Sequence, residues 1–255
     1  MKKIVCIDIG NTNVHFGIMQ GDEVLEKGRL LTNGLGMSDV LKVLQGKNFD
    51  GFSVGSVVPN MTDIIRDAVA QFDVPAVFYG DSNVQSGIYI PFPHARDVGA
   101  DIILNGIGAH SIYGQNVLVI DFGTATTFDV FSHDKEFCGT VIAPGVELSL
   151  KTLYKNAAQL PKVDVRPTEK LVCTTTTECM QSGIFWGYLS LIEGVTARIK
   201  NEYADDNRFG NQPMRVVATG GLAPLFYGYT SCIDHIHSDL TLIGLQLLFE
   251  RNMHD

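Results

Sequence analysis

Residues 117–130 read VLVIDFGTATTFDV, and this stretch decides the predicted fold. The apolar run 117–120 predicts a buried strand, Asp121 stands at its end, and Gly123 permits a tight turn into a second strand. Hydroxyls follow at three positions, Thr124, Thr126 and Thr127. Glycine lets backbone N–H groups approach an anion, hydroxyls add donors, and the aspartate can hold the metal ion that accompanies a nucleotide. The stretch therefore predicts a phosphate-binding turn.

The same arrangement occurs at the start of the chain. Residues 4–7 are apolar, Asp8 ends the run, and Gly10 opens a turn before strand character resumes at residue 14. Either turn alone also fits a β-hairpin that binds nothing. Two matched copies, with Asp8 and Asp121 113 residues apart, instead predict a duplicated unit with two phosphate-binding turns.

Composition narrows the class of protein. The 255 residues are 45% hydrophobic, and 19 basic against 28 acidic residues give a net charge of −9. That balance argues against a nucleic-acid partner and against an anionic membrane surface, but a local turn of backbone donors still binds ATP. Five scattered cysteines without a C-x-x-C pair disfavour disulfides and zinc. Because the first ten residues resemble neither a signal peptide nor a membrane span, we expect a cytoplasmic protein.

Strands alternate with helices in both halves, which predicts an α/β fold. The halves meet near residue 115, so we expect a first domain over residues 1–114 and a second over residues 115–255. In the second, Thr175 and Glu178 form a capping-box pattern that predicts the start of a long helix.

A helix predicted from about residue 97 contains Asp101. By itself this residue also fits an ordinary surface carboxylate. Its neighbours Ile102 and Ile103 are apolar, so we expect burial to raise its pKa.

Eight short motifs together resemble one family, the type III pantothenate kinases of the actin-like ATPase (acetate and sugar kinase) superfamily. They are DIGNTN at 8–13, SVVP at 56–59, GAD at 99–101, DFGTATTFD at 121–129, PG at 144–145, QLP at 159–161, MQSG at 180–183 and TGG at 219–221. The resemblance spans almost the whole chain. It implies duplicated ribonuclease H-like domains, each a mixed sheet flanked by helices.

The resemblance also implies an activity: ATP-dependent phosphorylation of pantothenate to 4′-phosphopantothenate, the first step of coenzyme A biosynthesis. Asp101 is then the general base, Asp121 belongs to a monovalent-cation site for K⁺ or NH₄⁺, and ATP is used with Mg²⁺. The implied ATP-binding residues are Asp8, Ile9, Gly10, Asn11, Thr12, Asn13, Val14, His15 and Thr124. The implied substrate-binding residues are Phe92, Gly99, Ala100, Asp101, Ile102 and Thr176. Family members are homodimers, with the long helix after Thr176 at the subunit contact.

Three departures from the family pattern cluster on the substrate side. Ile102 replaces an arginine that holds the substrate carboxylate, Phe92 replaces a tyrosine, and residues 173–175 replace Gly-Lys-Asn. Arg96 is a candidate replacement for the missing cation. Two alternatives therefore stay open: a kinase of a different small alcohol, and a non-catalytic nucleotide-binding regulatory protein.

Overall fold

A computed structural model describes residues 1–93, 97–157, 159–210 and 212–253. The strands are β1 (Lys3–Ile9), β2 (Asn13–Gln20), β3 (Glu23–Leu31), β4 (Gly51–Ser56), β5 (Ala76–Phe78), β6 (Val117–Phe122), β7 (Ala125–Phe131), β8 (Phe137–Pro144), β9 (Arg215–Thr219) and β10 (His235–Ile236). The helices are α1 (Met37–Leu44), α2 (Pro59–Val69), α3 (Ala100–Tyr113), α4 (Val146–Asn156), α5 (Thr176–Glu202), α6 (Ala223–Tyr227) and α7 (Leu240–Asn252). Within the described ranges, no helix combines the length and apolar character that crossing a bilayer requires.

The chain forms two compact units, and the same strand arrangement occurs in both. Unit 1 has the sheet order β3-β2-β1-β4-β5, and unit 2 has the order β10-β9-β6-β7-β8. In unit 1, β1 pairs antiparallel with β2 and parallel with β4. In unit 2, β6 pairs antiparallel with β7 and parallel with β9. Each unit thus places one central strand between an antiparallel and a parallel neighbour, as the duplication in the sequence predicts.

The central strands are apolar because both of their faces are covered. Residues 4–6 of β1 and 117–120 of β6 have no exposed surface. Covered sheets of this kind read as continuous apolar runs rather than as alternating patterns. In unit 2, the stacked rings of Phe122, Phe226 and Phe185, each 5.3 Å from the next, join β6 to α6 and α5.

The units differ from the predicted domain bounds of 1–114 and 115–255. Unit 1 contains residues 1–114 together with 135–137 and the described part of the segment from Asp239, while unit 2 contains residues 115–134 and 138–238. The last helix, which the predicted bounds assign to the second domain, groups with unit 1. Its apolar residues pack on α3 and on strands β1 and β4, all of them in unit 1.

Two close backbone approaches explain why α7 packs so tightly on α3. A Cβ on Gly244 would lie 2.7 Å from the carbonyl carbon of Leu104, and one on Gly108 would lie 2.5 Å from the carbonyl oxygen of Leu240. Thr241 Oγ1 also donates to Asn105 Oδ1 at 2.7 Å. Gly108 and Gly244 thus mark a close helix–helix contact.

Candidate active site

The first predicted turn lies between β1 and β2 and is held by Thr32, the residue that follows β3. Gly10 N donates to Asn13 O at 3.0 Å, which closes the turn. Thr32 Oγ1 donates to Gly10 O at 2.7 Å, and Thr32 N donates to Thr12 O at 3.0 Å. Asn11 and Thr12 are exposed at its tip. The turn is therefore preorganised, and its tip faces solvent.

The residues that flank this turn continue the β1–β2 ladder. Ile9 pairs with Val14 and Asp8 with His15, so the ladder runs to the edge of the turn. His15 is exposed and also pairs with Arg29 of β3. Asp8 thus stands at the carboxyl end of a buried parallel strand, where α/β folds place their ligands.

Asp101 lies at the start of α3, at the same end of the sheet in unit 1. Gly99 is the N-cap residue of α3, and a Cβ placed on it would lie 3.6 Å from Val57 Cγ1. Val57 N in turn donates to Ile9 O at 3.0 Å. Val57 thus lies between the start of α3 and the end of β1, which places Asp101 and the first turn at the same end of the sheet in unit 1.

The surroundings of Asp101 suit a general base. Burial raises the pKa of Asp101 above the ordinary carboxyl value, while hydrogen bonds from the backbone N–H groups of Ile102 and of Asp101 itself oppose that rise. The Ile102 N–H donates to Asp101 Oδ1 at 2.9 Å. The predicted rise in pKa is confirmed, and its cause is desolvation. A carboxylate that binds its proton more tightly is a better acceptor for an alcohol proton.

The position that departs from the family pattern is buried. Ile102 is 8% exposed and lies beside the fully buried Ile103. Gly99 and Ala100 complete the motif, at the N-cap and in the first turn of α3. Arg96, the candidate replacement cation, lies outside the described residues.

Phe92 is half-exposed in unit 1. Its ring packs edge-to-face on Phe137, with 6.0 Å between the ring centroids. Tyr89 N donates to Lys135 O at 2.8 Å, and Phe137 N donates to Tyr89 O at 2.8 Å. Residues 135–137 thereby pair in parallel with Tyr89, in the segment that carries Phe92.

The second predicted turn lies between β6 and β7, in unit 2. Gly123 N donates to Ala125 O, and Gly145 N donates to Thr124 O, both at 3.0 Å. A Cβ on Gly145 would lie 2.5 Å from Gly123 O, so only glycine at 145 allows this approach. Thr124 is exposed.

The other two threonines of the turn do not present free hydroxyls to solvent, because one is already hydrogen-bonded and the other is buried, so predicting them as phosphate donors was wrong. Thr127 Oγ1 donates to Asp129 Oδ2 at 2.8 Å, and Thr140 Oγ1 donates to Asp129 Oδ1 at 2.6 Å. Thr126 is fully buried, and its Oγ1 has no hydrogen-bond partner among the described residues. Thr126 and Thr127 differ in their surroundings because successive side chains of a strand such as β7 point to opposite faces of the sheet.

Two further features support the second turn. Asp121 pairs with Thr219 across β6 and β9, and a Cβ on Gly220 would lie 2.7 Å from the backbone of Phe122. From α5, the hydroxyl of Tyr188 donates to Pro144 O at 2.8 Å. The sequence motifs PG and TGG signalled residues 144–145 and 219–221, but nothing in the sequence pointed to Tyr188.

The second turn carries oxygen atoms that could act as cation ligands. A Cβ on Gly123 would lie 3.7 Å from Asp121 Oδ1 and 3.4 Å from Ala125 O, so the carboxylate and this carbonyl lie on the same side of the turn. No group of three or more His, Cys, Asp or Glu side chains able to hold a metal occurs in the described part of the chain. One carboxylate with main-chain carbonyls is a donor set that fits a hard, loosely held cation.

Thr176 is exposed as the first residue of α5. Thr175 is the N-cap: its Oγ1 accepts from Glu178 N at 3.3 Å and donates to Glu178 Oε2 at 2.7 Å. The predicted helix start is thus confirmed. Because Thr175 caps the helix, the hydroxyl of Thr176 is not needed for capping.

The comparisons with known proteins agree with this arrangement. Two structures with the same fold are a Campylobacter jejuni protein described as a Baf family transcriptional activator (TM-score 0.64, 17% identity, 97% of this chain and 98% of that one) and the ROK hexokinase of Thermus thermophilus (TM-score 0.53, 14% identity, 96% and 98%). At such low identity these likenesses show the fold alone, that of duplicated ribonuclease H-like domains.

The sequence comparisons identify the family. The type III pantothenate kinase of Rhodospirillum rubrum is 40% identical over 99% of this chain and 100% of its own length. That of Streptomyces coelicolor is 38% identical over 98% of both chains. A family model described as type III pantothenate kinase matches residues 4–198. The chain belongs to the type III pantothenate kinase family.

Proposed function

We propose that this chain transfers the γ-phosphoryl group of ATP to the hydroxyl of pantothenate, giving 4′-phosphopantothenate and ADP, the first step of coenzyme A biosynthesis. The observation that carries this proposal is the 37–40% identity to type III pantothenate kinases over at least 98% of the chain. ATP is used with a divalent metal ion, for which we propose Mg²⁺.

Asp101 is the proposed general base. As the alcohol oxygen attacks the γ-phosphorus, its proton passes to the Asp101 carboxylate, the bond from phosphorus to the bridging oxygen breaks, and ADP leaves. Phosphoryl transfer depends mainly on positioning and on neutralising charge. The partial positive charge at the start of α3 and the N–H of Ile102 hold the carboxylate in place.

Each turn contributes proposed ATP-binding residues. The first, residues 8–15, and Thr124 of the second supply backbone and hydroxyl donors to the phosphates. Asp121 with neighbouring carbonyls is proposed to hold K⁺ or NH₄⁺, because its oxygen donors suit a hard monovalent ion. The role of this bound cation is to offset the negative charge of the phosphates.

The proposed pantothenate-binding residues are Phe92, Thr176 and those at the start of α3. Without a cation at position 102, its carboxylate loses a charge-assisted contact. We therefore expect a weaker pantothenate affinity than an arginine at 102 would provide.

The enzyme is proposed to act as a homodimer through unit 2. Two adjacent apolar side chains ahead of α5 are largely exposed, Leu171 at 67% and Val172 at 84%. Exposed apolar side chains that lie next to one another are typical of subunit contacts. Replacing both with Asp should give a monomer by light scattering, while Leu31→Asp, at a 68% exposed site in unit 1, should leave the mass unchanged.

The test of the function is ADP release by the purified protein with ATP, Mg²⁺ and K⁺, with and without pantothenate. We expect pantothenate-dependent ADP release, a product of the mass of phosphopantothenate, and loss of both in Asp101→Asn. Asp63→Asn, an exposed carboxylate on α2, is the matched control. ATP binding without pantothenate-dependent turnover would overturn the proposal in favour of another substrate or a regulatory role. The Baf-like structure does not favour that role, since it shares only the fold.

A further inference from the structure

Unit 1 contains a cavity at the opposite end of α3 from Asp101. It encloses about 560 Å³, within the range of small-molecule sites. Its apolar wall is formed by Ile88, Ile107 and Leu247, and its charged side chains are Lys135, Glu250 and Arg251.

The cavity walls are fixed by hydrogen bonds. Asn252 Oδ1 accepts from Gln85 N at 2.8 Å, and Asn252 Nδ2 donates to Gln85 O at 3.1 Å, which ties the loop before Ile88 to the end of α7. On the other side, Tyr89 N donates to Lys135 O at 2.8 Å. The cavity is thus preformed.

Two cations at the cavity stand out. Among residues 1–93, 97–157, 159–210 and 212–253, the side chains of Lys135 and Arg251 make no ion pair or hydrogen bond. The guanidinium nitrogens of Arg251 lie 2.6 and 2.7 Å from where a Cβ on Gly87 would be, so the missing side chain at 87 makes room for them. The carboxylate of the lining, Glu250, already accepts a hydrogen bond from Gln246 Nε2 at 2.8 Å.

The backbone of Lys135 adopts an unfavourable conformation. Its φ of 65° makes it the only non-glycine residue with positive φ in the described ranges. Left-handed backbone at a side chain other than Gly, Asn or Asp is strained, and such strain clusters at ligand sites. The net charge of the protein is −9, which repels anions overall. The two cations beside the apolar wall nevertheless attract anions locally.

We propose that this cavity binds a small organic anion, a carboxylate or phosphate monoester that carries a short apolar chain. The anionic head contacts Arg251 and Lys135, and the chain lies on the wall of Ile88, Ile107 and Leu247. Because Ile107 belongs to α3, the bound molecule touches the helix whose other end carries Asp101.

The test uses titration calorimetry with hexyl phosphate, hexanoate and hexylammonium. A saturating non-hydrolysable ATP analogue with Mg²⁺ is present throughout, so that the phosphate-binding turns are filled. We expect hexyl phosphate, hexanoate or both to bind once per chain, and hexylammonium not to bind. Which of the two anions binds more tightly identifies the head group.

The variants locate the binding. Arg251→Gln and Lys135→Gln should each weaken it by about tenfold or more, as loss of a charge-assisted contact does. Ser111→Trp, at an exposed position on the lining, should abolish it by filling the space. Lys42→Gln, at a remote exposed lysine, should change nothing. Binding of neither anion, or binding that is unchanged in all three cavity variants, would overturn the proposal. The readout is independent of kinase activity.

Discussion

A methyl group on Gly99 would overlap Oδ1 of Asp101. The backbone of Gly99, with φ −56° and ψ 141°, is open to any residue, so glycine is needed there for space and not for conformation. The absent side chain at 99 keeps the carboxylate of the proposed base in position.

Gly99→Ala should therefore lower activity without unfolding the protein. The added methyl displaces the Asp101 carboxylate, and a misplaced catalytic group costs about 10- to 100-fold in kcat/KM. Thermal denaturation should show only a small change in stability, within about 0.5 kcal/mol. Gly36→Ala, at the N-cap of α1 with 3.7 Å of clearance to Asp39, is the matched control and should keep full activity. A Gly99→Ala enzyme with wild-type kcat/KM would contradict the proposed role of this spacing.

Asp101→Asn should lower activity strongly while preserving or raising stability. Burial raises the pKa of Asp101, so the folded chain holds this proton more tightly than the unfolded chain. The free energy of unfolding then falls as pH rises from the ordinary carboxyl pKa through the raised folded pKa, and stays lower above it. Asparagine carries no charge to bury, so the variant should melt at the same temperature as wild type or higher at pH 8.

The pH dependence of activity follows from the same shift. In wild type, kcat/KM should fall on the acid side with an apparent pKa above 3.8, because only ionised Asp101 accepts the alcohol proton. The asparagine variant should lose about 10²- to 10⁴-fold in kcat. An acid limb that persists unchanged in residual Asp101→Asn activity would assign the titration to another group.

Ile102→Arg should improve pantothenate binding and weaken the fold. An arginine gives the substrate carboxylate a charge-assisted partner, which should lower KM by about tenfold. The site is only 8% exposed, so steady-state kinetics should be paired with thermal denaturation, where we expect a loss of about 1–3 kcal/mol. Ile102→Met, which adds length without charge, should leave KM unchanged. An equal KM in the arginine variant would show that another group already binds the carboxylate.

Gly244→Ala should destabilise unit 1 strongly. The added methyl would lie 2.7 Å from the carbonyl carbon of Leu104, which is backbone and cannot move aside without separating α7 from α3. Overpacking of this kind costs about 1–3 kcal/mol. Gly187→Ala, inside α5 with no atom within 4 Å, should instead stabilise by about 1 kcal/mol through helix propensity. Denaturant unfolding of both variants gives the comparison, and equal effects would contradict the packing argument.

Much of this protein followed from its sequence alone. Buried apolar runs, the aspartates that end them and the glycines behind them predicted both turns, because strand and turn signals act over a few residues. The raised pKa of Asp101 was predicted from its sequence neighbours Ile102 and Ile103, because apolar residues next to a carboxylate indicate that it is buried.

Other features depend on which distant segments of the chain pack against one another, and only the tertiary structure decided them. Leu240–Asn252 lies far along the chain from Ala100–Tyr113, yet it packs there because Gly108 and Gly244 let the two backbones approach. Thr127 looked like a phosphate donor until the structure placed Asp129 and Thr140 beside it. The cavity at Lys135 and Arg251 likewise joins segments that no local pattern connects. Periodicity determines which face of an element is apolar, whereas long-range packing determines what covers that face.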